Sequence, residues 1–383
     1  MFYVLIVASY IIMCAIARKK YGKIDHPLDR HSEIVGDLIQ DIVRGHYPPT
    51  SRLPRWRELT ARYKTTLATV QKALERLEEY GYIQRGGWHG IRVVEFPPHR
   101  FNFGLVFTDH SDSLNHFSSH FKTTLAYSAL QLNRIGPRRI TLYQGVQGDR
   151  EEQFRELAAD LNARRVAGLI LTDRYMADGP HFSTLQRASK IPVAALLAEV
   201  KLPETTRVLM RTSDFMERAC AYLQAHGRRR VALVSSVNAG YGMWSAAHAA
   251  LAAHGLETHP WLRIDATILY SSALRPVMQM LCRLPANDRP DAIIITDDNL
   301  VPDATAGLAE AGIRVPEDLT IVAHANFPLP TPSAVPVARL GFDVQRVLTT
   351  CLDALDQRIQ GAKVPEPVIV PAEFEEEIKQ NPK

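Results

Sequence analysis

The chain has 383 residues, 46% of them hydrophobic and 22% charged, more than one core usually fills and a balance that excludes a disordered or disulfide-stapled protein. Its cysteines, Cys14, Cys220, Cys282 and Cys351, lie far apart with no C-x-x-C pair or metal-ligand spacing, which points to a reducing cytoplasm. The net charge of +4 is uneven: residues 18–100 carry 16 Lys and Arg against 10 Asp and Glu, and residues 101–383 carry 29 against 31, so a polyanion partner suits the front of the chain alone.

Met1 to Ala17 read MFYVLIVASYIIMCAIA without a charge, and Arg18, Lys19 and Lys20 follow at once. As a helix this stretch spans about 25 Å, the short limit for a bilayer. Two readings stay open. Residues 1–17 are either a membrane anchor whose basic flank holds the remainder in the cytoplasm, or a stretch ahead of a later translation start such as Met13.

From Asp29 the spacing of Ile34, Leu38 and Ile42 predicts a helix with one apolar face, ended by Gly45 and the Pro48-Pro49 pair. A second helix is predicted over Pro54 to Tyr63. A third covers Thr66 to Tyr80, where Val70, Leu74 and Leu77 recur at three and four residues and Gly81 suits a C-cap. Tyr82-Ile83 and Ile91 to Val93 flank Gly86-Gly87-Trp88-His89-Gly90, a turn of hairpin character. Three short helices and a β-hairpin make a winged helix-turn-helix over residues 29–95.

These residues resemble the GntR family of regulators. The matches are Leu53-Pro54, Arg57-Glu58-Leu59, Thr69-Val70, Ala73-Leu74, Leu77-Glu78 and Gly81-Tyr82-Ile83 at the family's spacing, a combination more specific than any lone tripeptide. The resemblance implies double-stranded operator DNA as partner, with Arg57 at the position of the family's DNA-contacting arginine. Seven basic and two acidic residues lie between Arg52 and Arg76, and of these Arg52, Arg55, Arg57 and Lys72 are expected at phosphates. The recognition helix departs from the family: Leu67 stands where an arginine is usual, and Gln71 where a second is common. Thr65, Thr66 and Thr69 are able to bond phosphates or bases, Gln71 suits adenine, and Leu67 suits a thymine methyl. Trp88 and His89 are expected in or beside the minor groove, and for Trp88 packing at the base of the wing is the competing role.

Residues 96–101, with the Pro97-Pro98 pair, read as a stiff linker. Over residues 102–376 apolar runs alternate with helical stretches: FGLVF (103–107), a helix over 116–132, RITLY, a helix over 151–162, AGLILTD and IPVAALL. RRVALVSS (229–236), a helix through Trp244 to His254, and DAIIITDD (291–298) follow. Such alternation predicts right-handed crossovers, parallel sheets and ligands at the carboxyl ends of strands.

This region resembles the LacI-type, periplasmic-binding-protein-like effector domain. The resemblance rests on Ala221-Tyr222-Leu223, Gly227 to Ala232, Ala250-Leu251, Gly255-Leu256, Pro290 to Ile293, Asp298 and, most distinctively, Gly312-Ile313-Arg314-Val315-Pro316-Glu317-Asp318-Leu319. It implies two lobes around a cleft, and Asp109, His110, Asp112, Tyr241, Trp244, Asp298 and His324 are expected near the effector from their strand-end positions. For Asp298, a helix cap is the competing role. Met243 stands where a ligand-binding arginine is frequent, and Ala325 where an aspartate is frequent. A sugar or sugar derivative is therefore one option for the effector, and an altered or lost pocket another. His116 and His120, four apart and close to Asp109 and Asp112, lack a third converging ligand, so no metal is expected, and no cofactor.

No nucleophile elbow, P-loop or G-x-G-x-x-G occurs, so an enzyme is not expected. The expected molecule is an α/β protein in which an N-terminal winged helix-turn-helix precedes a two-lobed periplasmic-binding-protein-like domain with parallel sheets. Its expected role is that of a cytoplasmic, homodimeric transcription regulator, a repressor by preference, controlled by a small molecule between the lobes. The alternative is a membrane-tethered small-molecule receptor whose basic domain has lost DNA recognition.

Overall fold

Helix α1 (Arg30–Val43) turns Ile34, Val35, Leu38, Ile39 and Ile42 to one side, and they pack on Val70, Ala73, Leu74 and Leu77 of α3 (Leu67–Glu79). Between these helices α2 (Trp56–Tyr63) adds Leu59 and Tyr63 to the same core. Strands β1 (Ile83–Gly86) and β2 (Gly90–Val93) pair antiparallel and close it with Ile83 and Val93. This computed structural model describes residues 30–86, 90–107, 120–146, 155–172, 190–196, 205–237 and 240–380, and the side chains of 240–242 are excepted.

Helix α3 stops for a local reason. Gly81 adopts φ 75°, a left-handed conformation that disfavours a side chain, and the Gly81 and Tyr82 N–H groups donate back to the Glu78 and Leu77 carbonyls at 2.9 and 3.0 Å. The linker is not fully extended. Pro98–Phe101 form a helical turn, α4, because a proline at the first helical position has its φ already set.

Beyond it the described residues form two six-stranded sheets. Lobe 1 uses β3 (Asn102–Val106), β4 (Arg139–Tyr143), β5 (Gly168–Leu171), β6 (Val193–Ala195), β7 (Thr205–Met210) and β13 (Val368–Val370), in the order β13-β7-β6-β5-β3-β4. Its described helices include α5 (His120–Leu132) and α6 (Arg155–Asn162). Lobe 2 begins with α7 (Thr212–Ala225), β8 (Val231–Ser236), α8 (Gly240–Ala253), β9 (Arg263–Ala266) and α9 (Leu274–Cys282). It continues with β10 (Ala292–Ile295), α10 (Val301–Glu310), β11 (Thr320–Phe327), β12 (Ala338–Asp343) and β14 (Glu373–Phe374), in the sheet order β14-β12-β11-β10-β8-β9. Among the described residues every pairing in both sheets is parallel except β12 with β14.

The chain passes between the lobes three times. It leaves lobe 1 between β7 and α7, returns between β12 and α11 (Val344–Ile359), and leaves again between β13 and β14. Helix α11 follows a lobe 2 strand yet buries Val344, Val347, Leu348, Cys351 and Leu352 against Phe103, Leu105 and Ile170 of lobe 1. The crossings are tied together, since the Ala372 N–H donates to Asp214 at 2.7 Å and Arg218 donates to the Ala372 carbonyl at 2.8 Å. Near them β12 approaches β11 so closely that a Cβ at Gly341 would lie 1.8 Å from the Ala325 carbonyl oxygen. Helix α12 (Glu375–Gln380) ends the described chain.

Among the described residues no helix is long and apolar enough to cross a membrane. Residues 1–17, considered above as an anchor, lie outside the described residues.

Candidate nucleic-acid interface and effector cleft

Helix α3 has one face in the core and one in solvent. Leu67, Gln71 and Lys72 are exposed on the outer face, one helical turn apart or adjacent, and Leu67 keeps 39% of its surface accessible although it is apolar. Thr66 caps the helix. Its hydroxyl accepts from the Thr69 N–H at 3.3 Å and lies 3.0 Å from the Thr69 hydroxyl, so both threonines have local partners at the N-terminus, and Thr65 beside them is half-buried. Glu58 steadies the start of α2 by accepting from the Arg55 N–H at 2.9 Å.

Arg52, Arg55 and Arg57 are exposed, and the Arg57 guanidinium lies 5.1 Å from the centroid of the exposed Trp56 ring. The basic side chains of Arg52, Arg55 and Arg57 are therefore open to solvent, as are Leu67, Gln71 and Lys72 of α3. Trp88 and His89 lie outside the described residues.

At the other site the carboxyl ends of β8, β10 and β11 converge, where parallel sheets hold ligands. Asp298 follows β10 and is only 2% exposed. Its carboxylate accepts from the Asn326 amide at 2.7 Å, and burial pushes its pKa up against the opposing pull of His324, His120 and that hydrogen bond. The neighbouring Asp297, and not Asp298, caps the following turn by accepting from the Asn299 N–H at 3.0 Å.

His324 and Asn326 lie two apart on β11 and so share a face of the sheet. The His324 ring meets Phe215 edge-on at 5.4 Å, and its buried Nδ1 finds no hydrogen-bond partner among the described residues. From lobe 1, His120 reaches into this corner. Its N–H donates to the Asn299 side chain at 3.0 Å, and its imidazole donates to the Leu329 carbonyl.

Sequence reasoning singled out Asp298 and His324 and missed Asn326 and Asn299. The period of two along VAHAN was the available signal for Asn326. His120 was weighed only as a metal ligand; among the described residues no group of three His, Cys, Asp or Glu is arranged to hold a metal. Trp244 packs in the lobe 2 core at 7% exposure, with the Arg263 guanidinium 3.7 Å over its ring. Asp109, His110 and Asp112 lie outside the described residues, as does the side chain of Tyr241.

Residues 30–93 match the family model of bacterial regulatory proteins of the gntR family, and residues 220–376 match that of a periplasmic binding protein-like domain. The chain joins a gntR-type head to a periplasmic-binding-protein-like body. The chain is 31% identical to the probable transcriptional regulator PhnF of Escherichia coli (strain K12) over 162 residues, 41% of this chain and 62% of that one. It is 23% identical to the transcriptional repressor PurR of Aliivibrio salmonicida (strain LFI1238) over 222 residues, 56% of this chain. The chain spans 64% of that relative's length. Among solved structures, a LacI family transcriptional regulator from Lactobacillus casei with bound sucrose superposes with a TM-score of 0.52 at 21% identity, over 72% of this chain and 98% of that one. At that identity the likeness establishes the fold of the body.

Proposed function

We propose that this protein is a transcription regulator that binds double-stranded operator DNA through its gntR-type head and responds to a small molecule held between the lobes. The observation that carries this is the open face of α3, where Leu67, Gln71 and Lys72 face solvent, in a head whose Arg52, Arg55 and Arg57 are exposed as well. A helix presented in this way fits the major groove, with the basic residues on phosphates and with Thr65, Thr66 and Thr69 at its start.

In this reading the head occupies residues 29–95, the linker 96–101 and the body 102–376. The protein acts in the cytoplasm as a homodimer on a palindromic site. The relatives are named as regulators, which supports a non-enzyme. Repression is the favoured sign because PurR is named a repressor. Asp298, Asn326 and His324 form the polar floor of the effector site, suited to a hydroxyl-bearing molecule such as a sugar derivative.

The test is selection of genomic fragments by the full chain, followed by titration of one selected duplex. Affinity is expected to fall at least about tenfold between 50 and 200 mM salt as condensed counterions are released, and Arg57→Ala is expected to weaken every duplex. Failure to retain any duplex at low salt overturns the reading.

A further inference from the structure

Two helices that end alike meet where the head touches lobe 1. Helix α3 closes through the turn at Gly81 already described. Helix α6 closes through the same pattern, with the Arg164 N–H donating to Leu161 at 3.0 Å and the Arg165 N–H to Asp160 at 2.8 Å. Here the left-handed position, φ 53°, is held by Arg164, where glycine is the usual occupant. Such a residue persists only where its surroundings hold it.

Those surroundings come from the head. The residue following each left-handed turn reaches across to the other helix end. From α3, the Tyr82 hydroxyl donates to the Arg164 carbonyl at 2.6 Å, with the Ala163 carbonyl at 3.3 Å. These carbonyls at a helix C-terminus have no donor within their own helix. From α6, the Arg165 guanidinium lies 4.2 Å from the centroid of the Tyr80 ring.

Both anchors are tied inward. Tyr82 is fully buried and its ring stacks on His99 of the linker, 5.8 Å between centroids and 13° from parallel. Arg165 pairs with the buried Asp160, which accepts from the Tyr143 hydroxyl at 2.5 Å on β4. Asn102, where the linker enters β3, donates to the Arg165 carbonyl at 2.8 Å and accepts from Thr141 at 2.9 Å.

We infer that Tyr82 and Arg165 are positioning residues that lock the DNA-reading head onto lobe 1 in one orientation, so that the two move as one body. The inference rests on the DNA-binding reading for its consequence. A change in the angle between the lobes then re-aims α3 directly, without a loose tether between them. The lock itself is a property of the chain and is testable without DNA.

Hydrogen exchange of the full-length protein reads it. In the wild type, amides of residues 94–102 and 161–167 are expected to be protected together, as parts of one unit. Tyr82→Phe keeps the ring and removes only the hydroxyl, and it is expected to speed exchange in both segments about fivefold, the worth of one hydrogen bond. Adding Arg165→Leu is expected to raise this to at least about tenfold, with protection in β8 and β10 of lobe 2 unchanged. Should the double variant lose lobe 2 protection as well, Tyr82→Phe alone carries the test.

A second readout separates positioning from folding. With a selected duplex, wild-type affinity is expected to drop at least about tenfold when two or three base pairs are inserted between half-sites, because locked heads cannot follow the helical rotation. The double variant tolerates the insertion to within about threefold. Free exchange of the linker in the wild type, or unchanged exchange in both variants, overturns the inference. Loss of all DNA binding with the protection pattern intact overturns the regulator reading and leaves the lock standing.

Discussion

Asn326 donates its side-chain amide to the Asp298 carboxylate at 2.7 Å, joining the carboxyl ends of β11 and β10 inside lobe 2. Both residues are only 2% exposed, so each depends on the other to satisfy a polar group.

Removing the acceptor is therefore costly. Asp298→Leu strands the Asn326 amide and is expected to lower stability by about 1–3 kcal/mol. Asp298→Asn keeps an acceptor oxygen and removes a buried charge, so it is expected to cost less. Urea unfolding of the two variants checks the order, and an equal or reversed order contradicts this account of the pair.

On the proposed DNA-binding reading, the exposed Leu67 lies against a base edge. A thymine methyl against its side chain buries one carbon, worth about 0.8 kcal/mol or roughly fourfold in affinity. Replacing one thymine at a time by deoxyuridine in a selected duplex is expected to reveal a position with that loss in the wild type and none in Leu67→Ala. Arg57→Ala, by contrast, is expected to weaken all duplexes alike and to lower the magnitude of the salt slope by about one.

Leu59 is fully buried where α2 meets α1 and α3. Leu59→Ala is expected to cost the head about 2–5 kcal/mol, as other buried leucines do when truncated. Circular dichroism and calorimetry should show a head transition at lower temperature while the body's main transition stays in place, and DNA retention should fall with the head. A shift of the body transition by the same amount would show that the two parts unfold as one.

His99 supplies a pH dependence. Burial, reinforced by Arg100 and Arg164, lowers its pKa from 6.5 to about 4. The unfolded chain then binds a proton more readily than the folded one. The stability due to neutral His99 is complete above pH 6.5 and is lost as pH falls toward about 4. The loss is at most about 3 kcal/mol. Acidification from pH 7 to 4.5 should lower the melting temperature more for the wild type than for His99→Phe, which keeps a ring against Tyr82 without the titrating nitrogens.

Much of this molecule is written in short-range pattern. The four-residue spacing of Ile34, Leu38 and Ile42, the glycine after α3, and the apolar runs at β8 and β10 each follow from forces acting within a few residues, and each element appears where those patterns put it. The candidate DNA face was legible for the same reason, since a helix with one apolar side displays the other.

Distant pairing was not legible. That α11 leaves lobe 2 to pack on lobe 1, that His120 of lobe 1 meets Asn299 of lobe 2, and that Tyr82 caps α6 all join residues far apart in the chain. No local period records such a contact, because its free energy comes from surfaces that meet only after both halves have folded. The sequence by itself determined two kinds of domain and their order. The tertiary structure alone decided which strand belongs to which sheet, what surrounds Asp298, and how the head is seated, because burial and hydrogen bonding at those points are settled by neighbours that the chain brings together only in three dimensions.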